Sequence, residues 1–304
     1  MKTSLIKLLV TLVASLMPIA AHANPGDLYA TDNRSIRVYA PDGTSHIFVS
    51  GLLRPRGLAF DSDGNLFVAT IDTATLFDDR GQILKFAPDG TVTVFANGAG
   101  LHSPEGLAFD RAGNLYVATV YFSPSDFNGV PGVIGHPRAN AGAGRILKII
   151  PTGDRSVLHL DPTTFHQNFG IAVDEQNNLF VADNLQGGIY RITPDRNNTF
   201  IPFQLDSISL GPLGLAFDGA GNLYASSSSI FDDAGGITKI APDGTETLVV
   251  SGLQGGLLGL TFDFDGNLFV AGHGSNRIYK ITPDGSVSIF ATGLNVPQFL
   301  AIEP

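Results

Sequence analysis

The stretch Gly57-Leu58-Ala59-Phe60-Asp61, followed two residues later by Gly64-Asn65-Leu66-Phe67-Val68-Ala69, is written again and again along the chain. Later copies read Gly106-Leu107-Ala108-Phe109-Asp110 with Gly113-Asn114-Leu115-Tyr116-Val117-Ala118, and Gly259-Leu260-Thr261-Phe262-Asp263 with Gly266-Asn267-Leu268-Phe269-Val270-Ala271. Two more begin at Gly170 and Gly214. Each copy runs on to a half-alternating apolar segment and a Pro-Asp-Gly type turn, as in Ile83-Leu84-Lys85-Phe86-Ala87-Pro88-Asp89-Gly90. Short alternating runs bounded by glycine and proline turns are strands, so one unit is four of them.

The sixth copy is divided between the two ends of the chain. Pro297-Gln298-Phe299-Leu300-Ala301-Ile302-Glu303 supplies its opening, and Gly26-Asp27-Leu28-Tyr29-Ala30 supplies its continuation. A linear stack of units ends in atypical caps, whereas end-to-end completion closes a ring and removes the exposed strand edges. The expected fold is therefore all-β: a six-bladed β-propeller of four-stranded blades, with the N- and C-terminal strands paired in one blade. The length suits a single domain over residues 24–304.

Ahead of the first unit, Lys2 and Lys7 precede an apolar run from Leu8 to Ala20 and then Ala21-His22-Ala23. This pattern reads as a signal peptide over residues 1–23, cleaved before Asn24, and the run is too short to span a bilayer. The mature chain is expected to be secreted or periplasmic, with no membrane span. No cysteine is present, which excludes disulfides and thiol ligands. Lys and Arg number 18 against 28 Asp and Glu; without Lys2 and Lys7 the balance is −12, which argues against a nucleic-acid partner.

The units start at Gly57, Gly106, Gly170, Gly214, Gly259 and Phe299, at spacings of 49, 64, 44, 45 and 40 residues. The excess over the shortest spacing is assigned between the second and third strands: Ile71 to Gly81, Tyr121 to Gly144 and Ser226 to Gly235. Because strands alternate in direction, these loops share one face of the disc with the segments leading into each first strand. The opposite face carries the near-invariant turns. Function is expected on the variable face.

All six units place a leucine and then an aromatic at matched positions, from Leu28-Tyr29 to Leu268-Phe269, and these should fill the layers between blades. The aspartates ending the first strands (Asp61, Asp110, Asp174, Asp218, Asp263) precede glycine or asparagine and suit hydrogen-bonded hairpin turns; none of these loops has the Glu of an EF-hand.

The motifs Pro-x-Gly-Leu-Ala-Phe-Asp, Gly-Asn-Leu-(Phe/Tyr)-Val-Ala and (Arg/Lys)-Ile-x-Pro-Asp-Gly resemble the repeats of the NHL, SMP-30/gluconolactonase and streptogramin-lyase-like propellers, over essentially all of Asn24 to Pro304. That group includes lactonases, lyases and pure binding domains. The gluconolactonase resemblance implies a divalent cation, Ca, Mg or Zn, at the channel mouth. Glu105 matches a carboxylate ligand position, and Asn168 approximates an asparagine position, shifted by one residue. Leu213 and Leu258 occupy other candidate positions, and the histidine expected before a repeat glycine in streptogramin lyases is absent.

The residues before the first strands that could carry chemistry are Arg54, Arg56, His102, Glu105, His166, Asn168 and Gln298. A lactonase needs a hard cation to polarise the ester carbonyl and a base for attack; Glu105, His102 and His166 are the catalytic candidates, with Asp72, Asp183 or His273 able to complete a site. The alternative for Glu105 is a pairing with Arg56. The long insertion adds Tyr121, Phe127, His136 and Arg138 as candidate lid or specificity residues. Ligand-binding candidates are thus Arg56, Tyr121, His136, Arg138, His273 and Gln298. The expectation is an exported propeller that binds a ligand on its variable face, with cation-dependent hydrolysis of a lactone or related ester. The alternative is a non-catalytic module recognising protein or glycan in the cell envelope.

Overall fold

The computed structural model describes residues 24–72, 80–120, 144–158, 168–203, 211–228 and 234–304. Their secondary structure is 24 strands in six four-stranded antiparallel sheets. Among them, no helix is long and apolar enough to cross a membrane. The segment read as a signal peptide lies outside the described residues.

Blade 1 combines β1 (Leu28–Asp32), β2 (Ser35–Tyr39) and β3 (Ser45–Ser50) with β24 (Leu300–Ile302) from the other end of the chain. Blade 2 holds β4 (Leu58–Phe60), β5 (Leu66–Asp72), β6 (Arg80–Phe86) and β7 (Val92–His102). Blade 3 holds β8 (Pro104–Phe109), β9 (Leu115–Thr119), β10 (Arg145–Ile149) and β11 (Arg155–Leu158). Blade 4 holds β12 (Asn168–Val173), β13 (Leu179–Asp183), β14 (Gly188–Ile192) and β15 (Asn198–Pro202). Blade 5 runs through β16 (Leu215–Phe217), β17 (Leu223–Ser228), β18 (Ala234–Ile240) and β19 (Glu246–Gln254), and blade 6 through β20 (Leu257–Phe262), β21 (Leu268–Gly272), β22 (Arg277–Ile281) and β23 (Val287–Thr292).

The expected closure is observed. β24 pairs antiparallel with β1, Leu28 facing Ile302 and Ala30 facing Leu300. The ladder continues past the strand ends, where Gly26 N–H donates to Glu303 O at 2.9 Å and Glu303 N–H to Asp27 O at 3.0 Å. Inside the seam the Tyr29 hydroxyl donates to Glu303 Oε2 at 2.9 Å. Pairing both ends in one sheet leaves no inner strand of blade 1 without a partner.

The leucine–aromatic pairs form the layers between blades. The aromatic of each second strand packs in one cluster with the leucine of the next blade's second strand: Tyr29 with Leu66, Phe67 with Leu115, Tyr116 with Leu179 and Phe180 with Leu223. Tyr224 packs against the cluster of Leu268, and Phe269 returns to Leu28, so the relation is cyclic. In four layers a phenylalanine ending the next blade's first strand meets the aromatic edge-on: Tyr29–Phe60, Phe67–Phe109, Phe180–Phe217 and Tyr224–Phe262, at 4.9 to 5.1 Å between centroids. Such geometry adds to simple burial because ring edges are positive and ring faces negative.

On the invariant face the aspartates make hairpin turns. Asp61, Asp110, Asp174, Asp218 and Asp263 each accept from the backbone N–H and the side-chain amide of the asparagine four residues on. Their carboxylate oxygens are therefore engaged within the turn.

Two details of loop placement differ from the sequence reading. Part of the excess between second and third strands is ladder: β5 pairs with β6 as far as Asp72 and Arg80, and β17 with β18 as far as Ser228 and Gly235. Chain in excess also falls between β11 and β12 and between β15 and β16. Subtraction on spacings cannot separate these positions, since both kinds of connection lie on the same face.

Candidate functional site

The repeat glycines bring the inner strands together around the axis. A Cβ on Gly57 would lie 2.1 Å from Glu105 O, and one on Gly170, Gly214 or Gly259 would lie 2.4, 2.2 or 2.6 Å from Leu213 O, Leu258 O or Gln298 O. Only glycine permits so close an approach. The approach is also hydrogen-bonded: Gly57 N–H donates to Glu105 O at 2.8 Å and Gly259 N–H to Gln298 O at 2.7 Å. Glu105, Leu213, Leu258 and Gln298 are thus each held against the unit-start glycine of the preceding blade. Below that level the channel wall is Leu58, Leu107, Ile171, Leu215, Leu260 and Leu300, around a cavity of about 80 Å³. None of the side chains lining that cavity is polar.

Three neighbouring blades enter the mouth through the same device. Arg54-Pro55-Arg56, Ser103-Pro104-Glu105 and Val296-Pro297-Gln298 each place a non-glycine residue at positive φ before the proline, at 43°, 39° and 53°. A β-branched residue such as Val296 is an outlier there. Strain of this kind persists where the surroundings over-determine the backbone, and it clusters at functional sites. Its result is that Arg56, Glu105 and Gln298 form an arc.

Arg56 is the centre of that arc. Its Nη1 donates to Gln298 Oε1, and its Nε lies 3.7 Å from Glu105 Oε2. Glu105 is 4% exposed. Neither Arg56 Nε nor Glu105 Oε2 has a hydrogen-bond partner. Burial pushes the Glu105 carboxyl above the usual range, more strongly than Arg56, Arg54 and the Ser103 hydrogen bond pull it down. A desolvated carboxyl beside a guanidinium can bind a ligand's polar groups and holds its proton more tightly than an exposed glutamate.

The remaining candidates are dispersed. His102 ends β7, opposite Arg80 in the ladder, next to Ser103. His273 follows β21, and its N–H donates to Gly256 O. Asp183 is fully buried and accepts from the backbone N–H groups of Leu185 and Gln186, a turn role. Asn168 opens β12 opposite Asp183, but its side chain lies outside the described residues, as does that of Asp72. Tyr121, Phe127, His136, Arg138 and His166 lie outside them altogether. Sequence reasoning named Arg56, Glu105 and Gln298 without joining all three, and it missed Ser103. The shared x-Pro-x signal at three unit starts was the clue available.

The described side chains do not supply the donor set of a divalent cation. No group of three or more His, Asp or Glu comes together among them. Glu105 already faces a guanidinium, a like charge to any incoming cation, and Leu213 and Leu258 are buried apolar or apolar residues at the matching positions. Hard cations require several oxygen ligands.

No protein-family profile matches the chain, and no curated protein matches it in sequence. Its three-dimensional structure is similar to that of virginiamycin B lyase from Staphylococcus aureus, with a TM-score of 0.58 and 15% identity over 94% of this chain and 95% of that one. A streptogramin B lyase structure gives 0.59 and 15% over 93% and 90%. A gluconolactonase from Xanthomonas campestris gives 0.57 and 19% over 79% and 76%. The fold is that of the streptogramin-lyase and gluconolactonase six-bladed propellers.

Proposed function

We propose that the protein is an exported propeller that binds a ligand, a small molecule, glycan or protein, at the channel mouth on its variable face. The observation that carries this reading is the half-buried Arg56–Glu105–Gln298 arc, in which a cation and a buried carboxyl face each other with unmet hydrogen-bonding capacity. Buried polar groups left without partners are costly, and a ligand offering both donor and acceptor oxygens relieves that cost. Export rests on the residue pattern of positions 1–23.

Hydrolysis of a lactone or ester is the second reading. It is supported by the gluconolactonase neighbour and by the desolvated Glu105, a carboxyl of the kind used for proton transfer. The poor fit to a divalent cation favours binding without metal-dependent turnover. Metal analysis of the purified protein, followed by gluconolactone hydrolysis with and without chelator, separates the two. The binding reading expects no stoichiometric divalent metal and no chelator-sensitive turnover. Metal bound at one equivalent and released by Glu105→Gln would overturn it in favour of the hydrolase.

A further inference from the structure

Of the six layers between blades, the one between blades 3 and 4 departs from the repeat at four positions. Where Phe60, Phe109, Phe217 and Phe262 end first strands, blade 4 has Val173. Where Phe48, Phe95 and Phe290 sit on fourth strands, blade 3 has Leu158. Every other layer keeps an aromatic at one of these two positions, beside the second-strand ring; this layer keeps neither. The other two departures are in blade 4's turns: Asn177 and Arg196 replace glycines that recur as Gly64, Gly113, Gly221 and Gly266, and as Gly43, Gly90, Gly153, Gly244 and Gly285. Both retain the glycine conformation, at φ 61° and 67°, which side chains rarely adopt.

Three of the four departures, Leu158, Asn177 and Arg196, line one space, and the fourth, Val173, packs in the layer behind it. A cavity of about 300 Å³ opens between the blades on the invariant face, away from the channel mouth, with Tyr116, Leu158, Leu179 and Ile192 as its apolar floor. Val173 packs in the same layer. Lys148 and Arg196 stand among its polar lining. Lys148 Nζ lies 5.4 Å from the Tyr116 ring centroid and 3.7 Å from Asp110 Oδ2. Asp110 also lines the space, but its carboxylate accepts from Asn114 and from the Tyr116 hydroxyl. Asn177 fixes the rim by accepting from Arg111 N–H.

We propose that this slot binds a small aryl carboxylate. The ligand's ring takes the place of the absent phenylalanine side chains against Tyr116, and its carboxylate meets Lys148 and Arg196. A pocket of this volume, apolar with a few convergent charges, suits a ligand of that size. Retaining Arg196 where every other blade has glycine gives the slot a second cation at the cost of an unfavourable backbone.

The test is calorimetric titration of 2-naphthoate and of neutral 2-naphthamide into the purified protein. Saturable naphthoate binding is expected, weakened at least about tenfold by Val173→Phe and likewise by Leu158→Phe, each of which restores a ring found in other layers. Melting temperatures at or above wild type would show both variants folded; should one unfold, the other decides. Arg196→Gly is expected to weaken naphthoate about threefold or more and to leave naphthamide unchanged. Naphthoate binding that Arg56→Gln abolishes and the phenylalanine variants leave intact would belong to the channel mouth and would overturn this proposal without touching the mouth as a site. Absence of saturable binding to wild type, or undiminished binding in a folded phenylalanine variant, overturns the proposal.

Discussion

Arg56 Nε lies 3.7 Å from Glu105 Oε2, close enough for attraction and too far for a hydrogen bond, with Arg56 N–H donating to Ala69 O of its own blade and Glu105 O accepting from Gly57 N–H of the neighbouring one. The carboxyl's proton affinity is nevertheless raised, because desolvation outweighs both arginines. A carboxyl whose folded-state pKa is raised contributes stability that is present below its unfolded value and is lost as pH rises through the folded value. The stability advantage of wild type over Glu105→Gln should therefore shrink as pH rises above the ordinary glutamate value of about 4. Urea melts at four pH values check this; an advantage growing with pH would mean that the ion pair dominates.

Asp218 should behave in the opposite sense. Burial acts to raise its pKa, but hydrogen bonds from Asn222 and Ala220 and the charge of Lys239 lower it overall. Its contribution is present above the unfolded carboxylate value and lost as pH falls. Wild type should lose its advantage over Asp218→Asn on acidification from about pH 6 to pH 3, measured by the same melts.

Two glycines separate close approach from backbone conformation. Gly57→Ala drives a Cβ into Glu105 O and should cost about 3 kcal/mol or more, since two clamped backbones must move. Gly90 sits at φ 83° with open space around it, so Gly90→Ala should cost only about 1 kcal/mol. Chemical denaturation of the two variants gives the comparison; equal losses would refute the role assigned to the repeat glycine.

At the seam, Tyr29→Phe removes the hydrogen bond to Glu303 and leaves a buried carboxylate with one partner fewer, at about 2 kcal/mol. Deleting residues 299–304 removes β24 and exposes β1 as an edge. That truncation should lower the denaturation midpoint far more than Tyr29→Phe, and should promote self-association visible by light scattering.

Blade number, strand order, the seam and the face carrying the variable connections were legible because each is a periodic property of sequence, repeated until its register is unambiguous. The pairing of Leu28 with Phe269 across the ring follows from the same periodicity. Arg56 to Gln298 was not legible, because the two are 242 residues apart and meet only when the angle between blades is known. The slot beside Tyr116 was in principle readable: Val173, Leu158, Asn177 and Arg196 are all visible as departures once the copies are aligned. That three of them line one space depends on which blade faces contact each other. Reading repeats for what they share finds the scaffold, and reading them for what one copy lacks finds the place where the scaffold has been altered.

The strand that completes blade 1, Leu300–Ile302, comes after all five other blades in the sequence, and this sets an order of events during synthesis. Blades 2 to 6 are local in sequence and can form as the chain emerges, whereas the first three strands must wait, with an unsatisfied row of amides, until Leu300–Ile302 has been made. Joining ends so distant carries a loop-closure entropy that local hairpins avoid. Closure of blade 1 is expected to be slow and all-or-none, and a nascent or truncated chain lacking Leu300–Ile302 should be an open, adhesive arc that holdase chaperones recognise.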